Sequence, residues 1–208
     1  MAHHFFIQGP LGSGKTFVMS YLAHHWKAKV ELNGGEVKLF SNYDLLDSYP
    51  MTHYEDWYKV AQAQGSILCF DEAQTSFNNR AWSKYGQTVA ADTLMYTRKM
   101  KAVTFYCSPS IGNVDSRIRQ IVEILITVKK IGDKGFRLHF VDYQTGEFLM
   151  TQFIPMFKAK SIFKLNLYDT DNMVLAMPLP KTETQGKAFF EKLEEIHDLA
   201  RGKKKVAF

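Results

Sequence analysis

Cysteine is scarce: the 208 residues contain two, Cys69 and Cys107. Both fall in apolar segments expected to be strands of a central sheet, and they follow no paired spacing. This argues against a disulfide framework and against a cysteine metal site, and it suits a reducing, cytosolic compartment. The histidine pairs do not take their place. His3-His4 and His24-His25 lack zinc-ligand spacing, and they read as residues flanking the first strand and ending the first helix. No stretch approaches the roughly 18 consecutive apolar residues of a membrane span, and the N-terminus lacks a basic-then-apolar secretory pattern. Internal repeats are absent as well. The net charge of +5 is modest, and much of it sits at Lys99, Lys101, Lys129, Lys130, Lys134 and Lys203-Lys204-Lys205. Such residues suit a polyanionic partner, although a solvated lysine face is the commoner explanation. With 46% hydrophobic and 23% charged residues, the chain has enough apolar matter for one domain with a real core.

What the chain does have begins eight residues in. Gly9-Pro10-Leu11-Gly12-Ser13-Gly14-Lys15-Thr16 fits the G-x-x-x-x-G-K-[ST] phosphate loop at every fixed position. Phe5-Phe6-Ile7 before it reads as a buried strand, and Phe17 to Trp26 after it as a helix. Gly12 and Gly14 let the backbone curl so that N–H groups point at phosphate oxygens, and the helix start adds the positive end of its dipole. Lys15 is expected to reach the β- and γ-phosphates, Thr16 to hold Mg²⁺, and Phe17 to complete the run of nucleotide contacts. The expected ligands are ATP and Mg²⁺.

A second segment carries the acids. Ser66-Ile67-Leu68-Cys69-Phe70-Asp71-Glu72 is a continuous apolar run, the pattern of a central parallel strand buried on both faces, ending in two carboxylates. Asp71 is expected in the metal shell, with Glu72 orienting and deprotonating the attacking water. Standing alone, such a segment would be read as a strand followed by solvated acids. The phosphate loop ahead of it favours the catalytic reading, and the double acid argues against a small-molecule kinase.

Strand and helix patterns alternate through the first two-thirds, the mark of an α/β domain whose mostly parallel sheet is covered by helices. Val37–Phe40 reads as a strand, 43–49 as a loop or short helical turn stopped by Pro50, and Tyr54–Gln64 as a helix. Gly86–Lys99 follows as a helix, then Ala102–Cys107 and Ile121–Val128 as strands. From Gly132 the pattern becomes β-rich: Phe136–Tyr143 and Glu147–Ile154 flank Gln144-Thr145-Gly146, a hairpin signal. Ser161–Leu167 reads as a further strand. Thr184–Arg201 is a terminal amphipathic helix with Phe189, Phe190, Leu193, Ile196 and Leu199 on its apolar stripe. It either packs on its own domain or docks on a neighbour. The expected layout is an ATPase core over 1–131, a β-rich extension over 132–182, and a helix with a basic tail over 183–208.

The order of these features resembles the FtsK/HerA superfamily of phosphate-loop ATPases. Within it, the chain is similar to viral genome-packaging ATPases of tectivirus type and to zonula-occludens-toxin-like phage assembly ATPases. The resemblance rests on Gly9–Thr16, on Phe70-Asp71-Glu72-Ala73-Gln74 with Arg80 beyond it, and on Tyr96-Thr97-Arg98-Lys99. Ser108-Pro109-Ser110 with Val114–Arg119, and Leu167-Tyr168-Asp169-Thr170, also carry it. It implies a homo-oligomeric ring that moves double-stranded DNA in the host cytoplasm and at the virion packaging vertex, with a capsid or portal protein as partner. An assembly ATPase of filamentous-phage type is the second implied reading, disfavoured by the lack of a membrane span. A nucleotide-dependent switch with little turnover is a third reading, against which Glu72 argues. The resemblance also implies a γ-phosphate sensor, usually Gln or Asn. Cys107 and Ser108 stand there instead, with Ser108, or Asn113 further on, as substitutes. Finally it implies an arginine finger from a neighbouring subunit. Arg80, Arg98, Arg117 and Arg119 are candidates, with Arg98 ranked first and Arg119 next.

Overall fold

A computed structural model describes residues 3–77, 93–94, 96–171, 174, 180 and 182–202. Arg80, most of the helix expected over Gly86–Lys99, and Lys203–Lys205 lie outside the described residues.

The apolar runs find partners on both faces because they form one sheet. Its strands are β1 (His4–Gln8), β2 (Lys38–Ser41), β3 (Ser48–Pro50), β4 (Ser66–Phe70), β5 (Ala102–Ser108), β6 (Ile124–Ile131), β7 (Gly135–Asp142) and β8 (Phe148–Pro155). Their order across the sheet is β3-β2-β4-β5-β1-β6-β7-β8. From β3 to β6 every pair is parallel, and β7 and β8 add an antiparallel meander. The register sets Gln8 beside Ser108 and Phe70 beside Tyr106. The carboxyl ends of β1, β2, β4 and β5 therefore reach one edge together.

Strand alternation sends side chains to two cores. On one face Phe5, Ile7, Cys69, Phe105, Cys107 and Ile126 pack under α1 (Lys15–Leu32) through Phe17, Val18 and Leu22. On the other, Phe6, Phe40, Leu68, Phe70 and Tyr106 meet α2 (Trp57–Gln62), which supplies Trp57 and Val60. After the single turn of α3 (Ala73–Ser76) come α4 (Ser116–Ile121), α5 (Met156–Phe163) and α6 (Glu183–Ala200). Phe189 and Leu193 of α6 are buried on the second core, with Phe189 edge-on to Tyr54 at 5.4 Å. Arg201 ties the end of α6 to the Ala63 and Met100 carbonyls. The terminal helix thus packs on its own domain.

Four expectations change. Ser161–Leu167 is not a strand: α5 ends at Phe163, where Ala159 and Ile162 are its buried residues, and an irregular strap follows. Residues 48–50, expected as loop or helical turn, form the short parallel strand β3, which pairs with β2 beside Leu39–Ser41. The first helix runs past Trp26 to Leu32, so His24-His25 lie inside it. Helix α4 takes up Ser116–Ile121, and β6 accordingly starts at Ile124. Among the described residues no helix is long and apolar enough to cross a membrane.

Candidate active site

The phosphate loop leaves the carboxyl end of β1 and turns into α1 at Gly14, whose φ of +89° is left-handed. Glycine is needed there twice over. A Cβ at Gly14 would meet Phe136 Cε1 at 2.5 Å, and one at Gly9 would meet the Val128 carbonyl oxygen at 2.5 Å. Among the described residues no side chain caps α1, so its leading N–H groups point into the loop, where an anion is favoured. Lys15 is buried and its Nζ donates to the Pro10 carbonyl at 3.1 Å, spanning the loop. The Ser13 hydroxyl is buried and makes no hydrogen bond among the described residues. A buried polar atom without a partner is costly, and a phosphate oxygen would satisfy it. Leu11, at the tip, is exposed.

The two motifs meet directly. The Thr16 hydroxyl donates to Asp71 Oδ2 at 2.9 Å, bridging the end of the phosphate loop to the end of β4. Asp71 is fixed from behind by Asn42, at the end of β2. Asn42 Oδ1 accepts from the Asp71 N–H at 2.7 Å, and Asn42 Nδ2 donates to the Asp71 carbonyl at 2.9 Å. Sequence reasoning missed this buried clamp, because nothing local links residues 42 and 71. The Asp71 Oδ1 accepts the Glu72 N–H at 2.9 Å. Glu72 itself sits at φ +44°, a left-handed conformation that a non-glycine residue adopts at a cost and that clusters at functional sites. After that turn the half-buried Glu72 carboxylate accepts from Gln74 Nε2 at Oε2.

β5 lies between the strands bearing the two motifs. Its last residue, Ser108, is fully buried and its hydroxyl makes no hydrogen bond among the described residues. Cys107, just before it, is pushed well above the usual thiol range by burial and by the Asp71 carboxylate, so it stays a neutral wall. Asn113 is exposed in a short helical turn, Ile111–Asn113. Behind α1 the Thr16 carbonyl accepts from Ser20, whose Oγ lies 2.9 Å from the Tyr43 hydroxyl. Burial raises the Tyr43 pKa. Tyr43 in turn meets Tyr168 edge-on at 6.5 Å.

Of the described arginine candidates, Arg98 lies away from the site. Arg98 is exposed in the turn leading into the amino end of β5, where its carbonyl accepts from Lys101. The length of β5 puts it about 20 Å from the phosphate-loop edge, so in its own subunit it does not join the site. Arg117 and Arg119 are partly buried on α4, with Arg117 Nη1 and Arg119 Nε both buried and without hydrogen-bond partners among the described residues.

Thr16 and Asp71 offer a hydroxyl and a carboxylate side by side. These are hard oxygen donors of the kind Mg²⁺ takes, so the residues fit that ion.

This fold is similar to that of the N-terminal domain of zonular occludens toxin from Neisseria meningitidis, with a TM-score of 0.58 and 21% identity over 81% of this chain and 100% of that one. It is also similar to the genome packaging NTPase B204 of Sulfolobus turreted icosahedral virus 2, solved with ATP-gammaS. There the TM-score is 0.50 and the identity 10%, over 73% of this chain and 98% of that one. At these identities the likeness is one of fold, that of an α/β phosphate-loop NTPase. No curated protein matches the sequence. The family model of zonular occludens toxin (Zot) matches residues 22–160, from the middle of α1 to within α5. That span is most of the chain, and the protein belongs to the Zot family.

Proposed function

We propose that this protein is an ATPase whose turnover drives the movement of phage DNA. The observation that carries the reading is the 2.9 Å contact between Thr16 and Asp71, with Glu72 held beside it. It joins the phosphate-binding and acidic motifs into one site. Lys15 and the loop amides neutralise charge on the β- and γ-phosphates. Thr16 and Asp71 are the residues that would hold Mg²⁺, which when bound offsets charge on the phosphate oxygens. Glu72 takes the proton of the attacking water. Ser108 would sense the γ-phosphate, a role supported by a buried hydroxyl that has no hydrogen-bond partner among the described residues.

Glu72→Gln should bind ATP normally and lose turnover by about 100-fold or more, the usual cost of a missing general base. Lys15→Ala should lose nucleotide affinity itself. Measuring binding and turnover separately decides the point, and near-normal turnover in Glu72→Gln would refute the assignment.

For the coupled work, the first reading is packaging of double-stranded DNA into a capsid by a ring at a portal vertex. The second, assembly of a filamentous phage particle, is also consistent with the family match. Stimulation of the ATPase rate by double-stranded DNA supports the first. A rate indifferent to duplex leaves the second.

A further inference from the structure

A cavity of about 380 Å³ opens beside the phosphate loop, on the α1 side of the sheet. Its walls include Phe17, Phe163, Asn166, Tyr168, Asp169 and Thr170. Phe17 directly follows the threonine assigned to the metal, so the cavity begins one residue from the phosphate-binding turn. The far wall is the strap that replaces the expected strand after α5. It is tied down along residues 166–169. Asn166 N–H donates to the Phe163 carbonyl at 3.1 Å, Leu46 N–H to the Leu167 carbonyl at 2.8 Å, and Asp169 N–H to the Asp44 carbonyl at 3.0 Å. Leu45 and Tyr168 pair as an antiparallel bridge. The strap is therefore built across the front of α1 rather than left loose.

We propose that this cavity is the nucleobase compartment of the site, and that it takes a purine. The inference rests on the nucleotide-binding reading above and goes on to say what holds the other end of the ligand. The volume lies in the range of small-molecule pockets. Its lining joins flat aromatic surface for stacking, at Phe163 and Tyr168, to polar groups that can orient a ring, at Asn166, Asp169 and Thr170. Phe163 stacks on the buried Phe17 with ring centroids 4.4 Å apart and planes at 29°, yet remains 42% exposed. One ring thus extends the core while offering its outer surface to a base. Tyr168 stands on Tyr43, which is wired through Ser20 to the Thr16 carbonyl, so the cavity and the metal-binding threonine share one support. Asn166, at φ +47°, brings an amide able to pair with both the donor and the acceptor on a purine edge, and Asp169 brings a carboxylate for exocyclic or ring N–H groups. A two-ring base covers more of this aromatic surface than a pyrimidine does.

Calorimetry with ATP, GTP, CTP and inorganic tripolyphosphate, each with Mg²⁺, tests the proposal. The unaltered protein should bind ATP or GTP at least about tenfold more tightly than tripolyphosphate or CTP, as base stacking on an aromatic provides. Phe163→Ala should remove about tenfold of the purine nucleotide affinity and leave tripolyphosphate binding unchanged. Asn166→Gly, which keeps the left-handed backbone accessible, should do the same through the lost amide. Whether ATP or GTP binds more tightly tells which purine edge the strap reads. Equal affinity for ATP and tripolyphosphate would overturn the compartment while leaving the ATPase reading intact, as would CTP binding as tightly as both purines. Parallel loss of both ligands in both variants would also overturn it, since that reports a disturbed phosphate loop. If neither ATP nor tripolyphosphate binds the unaltered protein, the nucleotide reading falls and the compartment with it.

Discussion

Among single residues, His4 shows how the sheet constrains chemistry far from the phosphate loop. It opens β1 with its ring buried and lying 6.1 Å from that of Tyr106. The Thr97 hydroxyl donates to the Leu94 carbonyl at 2.6 Å, so it accepts from His4 Nε2, 3.1 Å away. Nδ1 is then left to accept from the Tyr106 hydroxyl at 3.1 Å. The imidazole is neutral in this arrangement. Burial holds its pKa down, at about 4 against the ordinary 6.5, with the nearby Glu123 opposing the shift. Between these values the unfolded chain binds a proton that the folded chain refuses. The contribution of His4 to stability is therefore complete above pH 6.5 and declines as pH falls towards 4, by up to about 3 kcal/mol. Melting curves from pH 7 to pH 4 should show this decline, and His4→Gln should flatten it. An equally steep acid slope in the variant would assign the loss to another group. Asn42 is the opposite case, a residue whose importance depends wholly on a partner 29 positions away. No pattern around it separates it from any asparagine ending a strand.

At the scale of elements, the sheet and the phosphate loop were legible because their signals are local. Glycine spacing, an uninterrupted apolar run before Asp71-Glu72, and a turn at Gln144-Thr145-Gly146 each dictate backbone by their own chemistry. The region after β8 was not legible. Phe163, Leu165 and Leu167 alternate with Lys164 and Asn166, which is the period of a strand. Tertiary contact decides otherwise, because Ala159 and Ile162, three apart, are the residues that the core takes up. β3 was missed for a related reason: three residues ending in Pro50 join an edge only because β2 is already there. The meander also supports the loop, through Phe136 of β7 against Gly14. Gly14→Ala should therefore combine a left-handed strain with a collision. ATP affinity should fall by about tenfold or more, and Phe136→Leu in the same chain should restore part of it. Unchanged affinity in Gly14→Ala would show that the loop does not need this turn.

For the whole molecule, the absence of Arg98 from its own site sets the expectation for assembly. If it completes the site of a neighbouring subunit, turnover per chain should rise with protein concentration and then level off. Arg98→Ala and Glu72→Gln should each be inactive alone, and a mixture should recover activity, because an intact Glu72 can then face an intact Arg98. A supplied arginine is worth roughly 10³- to 10⁵-fold in well-studied cases, so even partial recovery is measurable. Recovery only with Arg119→Ala in place of Arg98→Ala would move the role to Arg119. Turnover independent of concentration, with no mixture recovering, would reject the shared site. The strand order carries a separate consequence for how the chain comes to be folded. β1 is made before β5 and β6, which begin at residues 102 and 124 and flank it in the finished sheet. The phosphate loop therefore emerges from the ribosome long before the strands that hold it in place, and it must wait for contacts distant in sequence, which form slowly. Nascent chains stopped short of residue 131 should be unable to retain nucleotide. During that interval Phe5, Phe6 and Ile7 lack the strands that cover them, apolar surface of the kind a chaperone shields.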